Sequence, residues 1–361
     1  MSEHDEPAAT SPQRDPGGRP IWPLVAAAVV IAVALFVTGI RWSQSNEVVV
    51  YAALDAEFSK PIFRQIEQRT DVRVLGQFDT ESTKTVGLTN RIIAEAERPR
   101  CDVFWNNEIL NTLRLQRQGL LDVYHSPAAE NYPAMFRSPE GYWHGFAARA
   151  RVLIVNTELL GSREPPDSLG DLVDPRWRDQ AGIAKPLFGT TATHAACLFS
   201  AWGPQKARQF FRDMKANGVK VLAGNKQVAQ DVAAGRLTFG LTDTDDAIIE
   251  LEAGRPVTIV YPDQGEGQDG TLFIPNTLAV IRGGPNPAAA RRLVDALLAE
   301  DVESALARGP SAQIPLNPRV TTSPRVESPQ TIRAMEIDFE VAADQWDTSA
   351  AFLRDLFATN E

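Results

Sequence analysis

The sequence predicts an α/β fold in two lobes, preceded by one N-terminal transmembrane helix. Three observations carry this reading. The chain has 361 residues, 43% of them hydrophobic and 23% charged, an ordinary globular balance at a length too great for one compact core. From Glu47 onward, short β-branched runs alternate with amphipathic helical spacings, as in layered α/β structure. Residues 21–40 (IWPLVAAAVVIAVALFVTGI) carry no charge and are just long enough to cross a bilayer as a helix.

Residues 1–20 are polar and rich in Pro, Gly and Asp, a composition that builds no core and predicts a disordered cytoplasmic tail. The membrane segment is taken as residues 21–41. Trp22 and Trp42 bracket it where indoles settle. Arg14 and Arg19 precede it, Arg41 follows, and the next basic residue is Lys60, which favours an inward N-terminus and an exported body. No Cys directly follows the apolar run, which argues against a lipoprotein anchor. Ser43 and Ser45 would suit a cleavage site, but the run exceeds a usual signal core. An uncleaved anchor on the periplasmic face of the inner membrane is the preferred reading, with a periplasmic protein as the alternative if the signal is removed.

Along the exported part, residues 48–51 form a β-branched run ending in small Ala52 and Ala53 and read as a buried first strand. Phe58, Ile62, Phe63 and Ile66 have helical spacing over 58–69. Strands are expected at 72–75 and 102–105, with a helix at 85–97 between them. Leucines 110, 113, 115, 120 and 121 follow around a helix closed by Gly119. Further helices are expected at 193–202, 204–217, 228–234, 287–298 and 343–357. Strands are expected at 220–222 and 237–241, with a strand pair around 272–281.

The net charge is −10, with acids spread along the chain. Such a balance argues against a nucleic-acid surface, which needs clustered Lys and Arg. Cys101 and Cys197 sit in no metal-binding spacing, and their apolar surroundings read as two separate core thiols. Only four His occur, at 4, 125, 144 and 194, and H-E-x-x-H, G-x-S-x-G and P-loop patterns are all absent. An enzyme is therefore not expected.

Eight segments then stand in a familiar order: VVVYAALD, FDTESTKTVGLTNRII, RCDVFWNNEILNTLRLQRQGLL, GFAARARVLIVNTELL, SLGDLVDPRWRDQAGIAKPLFGTTATHAA, GLTDTDDA, YPDQGEGQDGTLFIPNTLAVIRGGPNPAAARRLVDALL and ESALARGPSAQIPL. Their sequence resembles the type II periplasmic solute-binding proteins of ABC importers, and within them the iron(III)-binding branch. The resemblance implies crossing strands near 145–155 and 271–280. It makes residues 47–148 and 276–361 one lobe and 149–275 the other. It implies a monomer with its ligand in the cleft, serving an ABC permease and ATPase. The implied cargo is a metal ion such as iron(III) with a synergistic anion, and no organic cofactor.

Ligands of open α/β sheets gather at strand carboxyl ends, which selects Asp55, residues 106–108 and residues 242–246. In the iron-binding branch two adjacent tyrosines hold the metal; here that position falls on Asp245 and Asp246, and a first-strand His is replaced by Asp55. The expected cation site is Asp55, Asn107, Glu108, Asp243, Asp245 and Asp246, all hard oxygen donors. Helix capping by T-D-T-D-D-A is the competing reading. The expected anion site is Gly189, Thr190, Thr191 and Thr193 at a helix start, with Thr83 in the other lobe. Arg149 or Arg151 adds charge, one facing the cleft and the other away. A zwitterionic or organic solute (an aminophosphonate, thiamine or a polyamine) is the alternative cargo, and a membrane-tethered ligand sensor the alternative role.

Overall fold

The computed structural model describes residue 25 and residues 29–31, 46–79 and 85–357. The expected disordered tail and most of the apolar segment lie outside these residues; Val25 and residues 29–31 are helical and exposed. Among the described residues, no helix is long and apolar enough to cross a membrane. Residues 46–361 form one compact unit.

Nine strands organise that unit: β1 (Glu47–Ala52), β2 (Arg73–Phe78), β3 (Val103–Asn106), β4 (His144–Asn156), β5 (Ala181–Ala184), β6 (Lys220–Leu222), β7 (Phe239–Asp243), β8 (Val257–Val260) and β9 (Phe273–Val280). Their order is β2-β1-β3-β9-β4-β7-β5-β6, with β8 also paired to β4. The arrangement is two sheets sharing one strand. Residues 144–150 of β4 pair with β9, whereas residues 151–156 pair with β7 and β8. All thirteen residues of β4 are buried, which explains its nearly continuous apolar run.

Each sheet is covered by helices whose buried faces follow the 3.6-residue period. Helix Ala56–Arg69 buries Phe58, Ile62, Phe63 and Ile66, the four positions that its sequence marks. Helix Asn225–Ala233 lies so close to the second sheet that a Cβ on Gly240 would stand 2.4 Å from the Val228 side chain. Cys101 and Cys197 are buried and unbridged. Where strands 272–281 were expected as a pair, one strand, β9, lies between β3 and β4. Short β5, largely Gly and Ala, was not expected, nor was β8, although its run VTIV is β-branched.

Two features depart from regular pairing. The register of β4 against β9 shifts between Phe146 and Ala148, with Ala147 at φ +42°. The fully buried Glu303 carboxylate holds this bulge, accepting from Ala147 N at 2.6 Å, Leu316 N at 2.9 Å and Asn317 N at 2.8 Å. At the chain's end, helix Phe339–Asp344 packs against helices Leu110–Arg117 and Gly189–Trp202. Helix Trp346–Phe357 packs on helices Gly189–Trp202 and Pro204–Ala216. Arg117 ties this end down through Glu340 at 3.3 Å and Asp344 at 2.8 Å.

Candidate solute-binding cleft

The carboxyl end of β7 runs directly into helix Thr244–Glu252, so Asp243, Asp245 and Asp246 come together. One ligand oxygen from each lies within 4.8 Å of the others. Asp243 and Asp245 are buried and Asp246 is half-buried. Three carboxylates this close repel one another unless cations compensate them.

Two guanidinium groups do so. Arg151, fully buried, donates to Asp243 Oδ1 at 2.6 Å, and Arg149 approaches Asp245 Oδ2 at 3.2 Å. Both arginines therefore face the acidic cluster. Residues two apart on a strand share a face, so the expectation that one turns away is corrected. Burial opposes the charge of Arg149, but Asp245, then Asp243, Asp246 and Asp55, hold its proton on more firmly than water does. Its Nη2 also donates to Asn276 Oδ1 at 3.3 Å. Lys226, itself paired with Glu57, also lies close enough to Asp55 and Asp246 to feel their charge.

The expected anion cradle adjoins the same network. Gly189 starts its helix at φ +53°, the left-handed region that favours glycine. Thr190 donates to Asp243 Oδ2 at 2.5 Å. Arg151 reaches Thr190 Oγ1 at 3.3 Å, Thr191 Oγ1 at 3.2 Å, Asn225 Oδ1 at 3.1 Å and His194 Nδ1 at 3.4 Å. Because Nδ1 accepts that bond, His194 carries its proton on Nε2. Burial and then Arg151 push its pKa well below the ordinary value. A recess of about 20 Å³ lies among Gly189, Thr190, Thr191, Asn107, Asn225 and Asp243, room for roughly one water.

Glu108 behaves differently. Its carboxylate accepts from Leu110 N at 2.6 Å, Asn111 N at 3.0 Å and Asn106 Nδ2 at 2.9 Å. It thus caps helix Leu110–Arg117, whose first N–H groups lack partners. Thr193, from the opposite side of the cleft, donates to Glu108 Oε2 at 2.7 Å. Asn107 is buried and accepts from Thr85 Oγ1 at 3.3 Å. Asp55 is half-buried at the start of helix Ala56–Arg69, near enough to Arg149 to favour its charge. Lys226 and Glu57 pair at 3.0 Å across the cleft rim. Thr83, with Thr80, Ser82 and Lys84, lies outside the described residues.

Asn225 and Asn276 join this hydrogen-bond network without having been expected there. Asn225 donates to Asp243 Oδ2 at 3.0 Å and to Thr190 Oγ1 at 2.9 Å. It opens the helix that follows β6, so the strand-end rule that picked out Asp243 would also have found it. Asn276 sits inside β9, where no end signal exists.

A family model described as bacterial extracellular solute-binding protein matches residues 111–339. Iron uptake protein A1 of Synechocystis is 24% identical over 303 residues, covering 80% of this chain and 82% of that protein. The fold is similar to that of iron-bound HitA from Pseudomonas aeruginosa, with a TM-score of 0.77, 21% identity and coverage of 86% and 99%. It is equally similar, at 22% identity, to the periplasmic binding protein AfuA from Actinobacillus pleuropneumoniae with fructose-6-phosphate bound; the TM-score is 0.77 and coverage is 87% and 99%. With the two-sheet α/β architecture and a polar cleft at the strand ends, this match settles the family: the chain belongs to the bacterial extracellular solute-binding proteins.

Proposed function

We propose that this protein is the extracytoplasmic binding component of an ABC importer and not an enzyme. It captures a hard metal ion such as iron(III), together with an anion, and delivers it to a permease. The observation that carries the reading is the cluster of Asp243, Asp245 and Asp246, with ligand oxygens within 4.8 Å of one another, beside the buried Arg149 and Arg151. Carboxylates suit a hard cation, and a guanidinium suits the anion that travels with it. Similarity to proteins named for iron uptake and iron binding supports the same cargo. In this reading residues 47–148 and 276–361 form one lobe and 149–275 the other. The segment around residues 21–41 leads the body out of the cytoplasm, and the permease and ATPase are the partners.

The mixed charge of the cluster supports a second reading. Three clustered carboxylates beside two guanidiniums would also suit a zwitterionic solute, with its ammonium at the carboxylates and its anionic group on Arg149. One experiment separates the two. Protein purified without chelators is analysed for metals and by native mass spectrometry, then titrated with iron(III) in carbonate or phosphate. Metal at near-equal stoichiometry, lost in Asp245→Ala/Asp246→Ala, supports the metal reading. A bound organic mass replaces it.

A further inference from the structure

A second charged cavity lies along the open edge of the second sheet. β6 is the last strand in the order, and a cavity of about 580 Å³ runs beside it. Four cations converge there from separate parts of the chain. Lys185 follows β5, Lys215 lies on helix Pro204–Ala216, Lys220 on β6 and Arg354 on helix Trp346–Phe357. Among the described residues no carboxylate is in the lining, and Asp179 stands at its edge beside Lys220, in a chain with 46 acidic and 36 basic residues. Surfaces ordinarily intersperse the two signs, so this segregation calls for a cause.

The cations are only partly engaged by the fold. Lys215 Nζ donates to Leu356 O at 2.6 Å, and Lys220 stands 3.6 Å from Asp179 with both side chains more than half exposed, a pairing worth little. Among the described residues, Lys185 and Arg354 form no ion pair. Val219 and Phe357 add apolar surface to the lining. A lysine on an edge strand guards against strand addition, which accounts for Lys220 alone. It does not account for three further cations from three other elements.

We propose that this cavity binds a phosphate-bearing anion. Lys185, Lys215, Lys220 and Arg354 hold the phosphate, and Val219 and Phe357 receive the carbon body. Lysine ammoniums supply mobile point charges, and the Arg354 fork matches two phosphate oxygens. The phosphate belongs either to a soluble monoester or to an anionic lipid headgroup, two sources of one chemistry.

The test uses the full-length chain with two probes, glycerol 3-phosphate and vesicles containing phosphatidylglycerol. The variant is Lys220→Glu/Arg354→Glu, two exposed positions away from the cleft; Lys185 also borders the recess at Gly189 and is left intact. Binding of at least one probe by the wild type, weakened roughly tenfold or more in the variant, supports the site. The thermal midpoint and iron(III) titration of the variant should be unchanged, so failure here is distinguishable from failure of the cleft reading. Preference for vesicles assigns the lipid source, and preference for the monoester assigns the soluble one. No binding of either probe by the wild type up to about 10 mM overturns the proposal, as does equal binding by the variant.

Discussion

The carboxyl ends of β3 and β7 face each other across the cleft, and both place acids where a strand hands over to a helix. At β3, Glu108 is fully buried with no guanidinium in its hydrogen-bond set; two backbone N–H groups, an amide and the Thr193 hydroxyl occupy it. At β7, Asp243 and Asp245 meet Arg151 and Arg149 instead. One end commits its charge to a helix start, and the other sets its acids against two cations. An acid after a strand is thus an ambiguous signal, and what decides its use is the partner that the opposite strand brings.

Breaking the β7 end should have the largest effect. Arg151→Ala leaves Asp243 buried without its cation, so unfolding in denaturant should show a loss of about 3–5 kcal/mol. A loss under about 1 kcal/mol would mean that the network relaxes freely and that Asp243 is not held by charge.

Acid should come next, through a group that sits at neither end. His144 donates through Nε2 to Tyr124 O at 2.9 Å, and burial lowers its pKa to about 4. The unfolded chain takes up that proton below its ordinary value of about 6.5, whereas the folded chain does so only near 4. Stability from this group is therefore complete above that ordinary value and falls as pH drops towards 4, by up to ~3 kcal/mol. His144→Gln should flatten that part of the stability–pH curve; an unchanged slope would remove His144 as its source. His194, also lowered by burial and then by Arg151, works in the same direction and remains in the variant.

The smallest effect belongs to the β3 end. Glu108→Gln keeps the shape but exchanges charge-assisted caps for neutral ones, a loss of about 1–2 kcal/mol. Affinity for the cargo should hold, because in the comparison above Glu108 serves the helix. A cargo affinity reduced more than about tenfold by this variant would make Glu108 a ligand after all.

Much of the fold was legible because periodicity and buried strands leave strong patterns. Phe58, Ile62, Phe63 and Ile66 marked their helix, and residues 48–51 marked β1. β5 was not legible because it is largely Gly and Ala, and β8, with its β-branched run VTIV, carried a signal that was passed over. The strand-end rule picked out Asp243, Asp245 and Asp246, which the fold brings together as a candidate site. Their pairing with Arg149 and Arg151 came from β4, about a hundred residues upstream, and only register could show it. Asn276 lay hidden for the same reason.

The shared strand β4 has a consequence for the order of assembly. β9 is inserted between β3 and β4, so the first sheet stays split until residue 280 is available. Helix Trp346–Phe357, which covers helices of the second sheet, arrives later still. Such long-range closure holds back completion of the fold until most of the chain has been made. During that interval the chain remains open enough to be threaded elsewhere before it commits to its final shape.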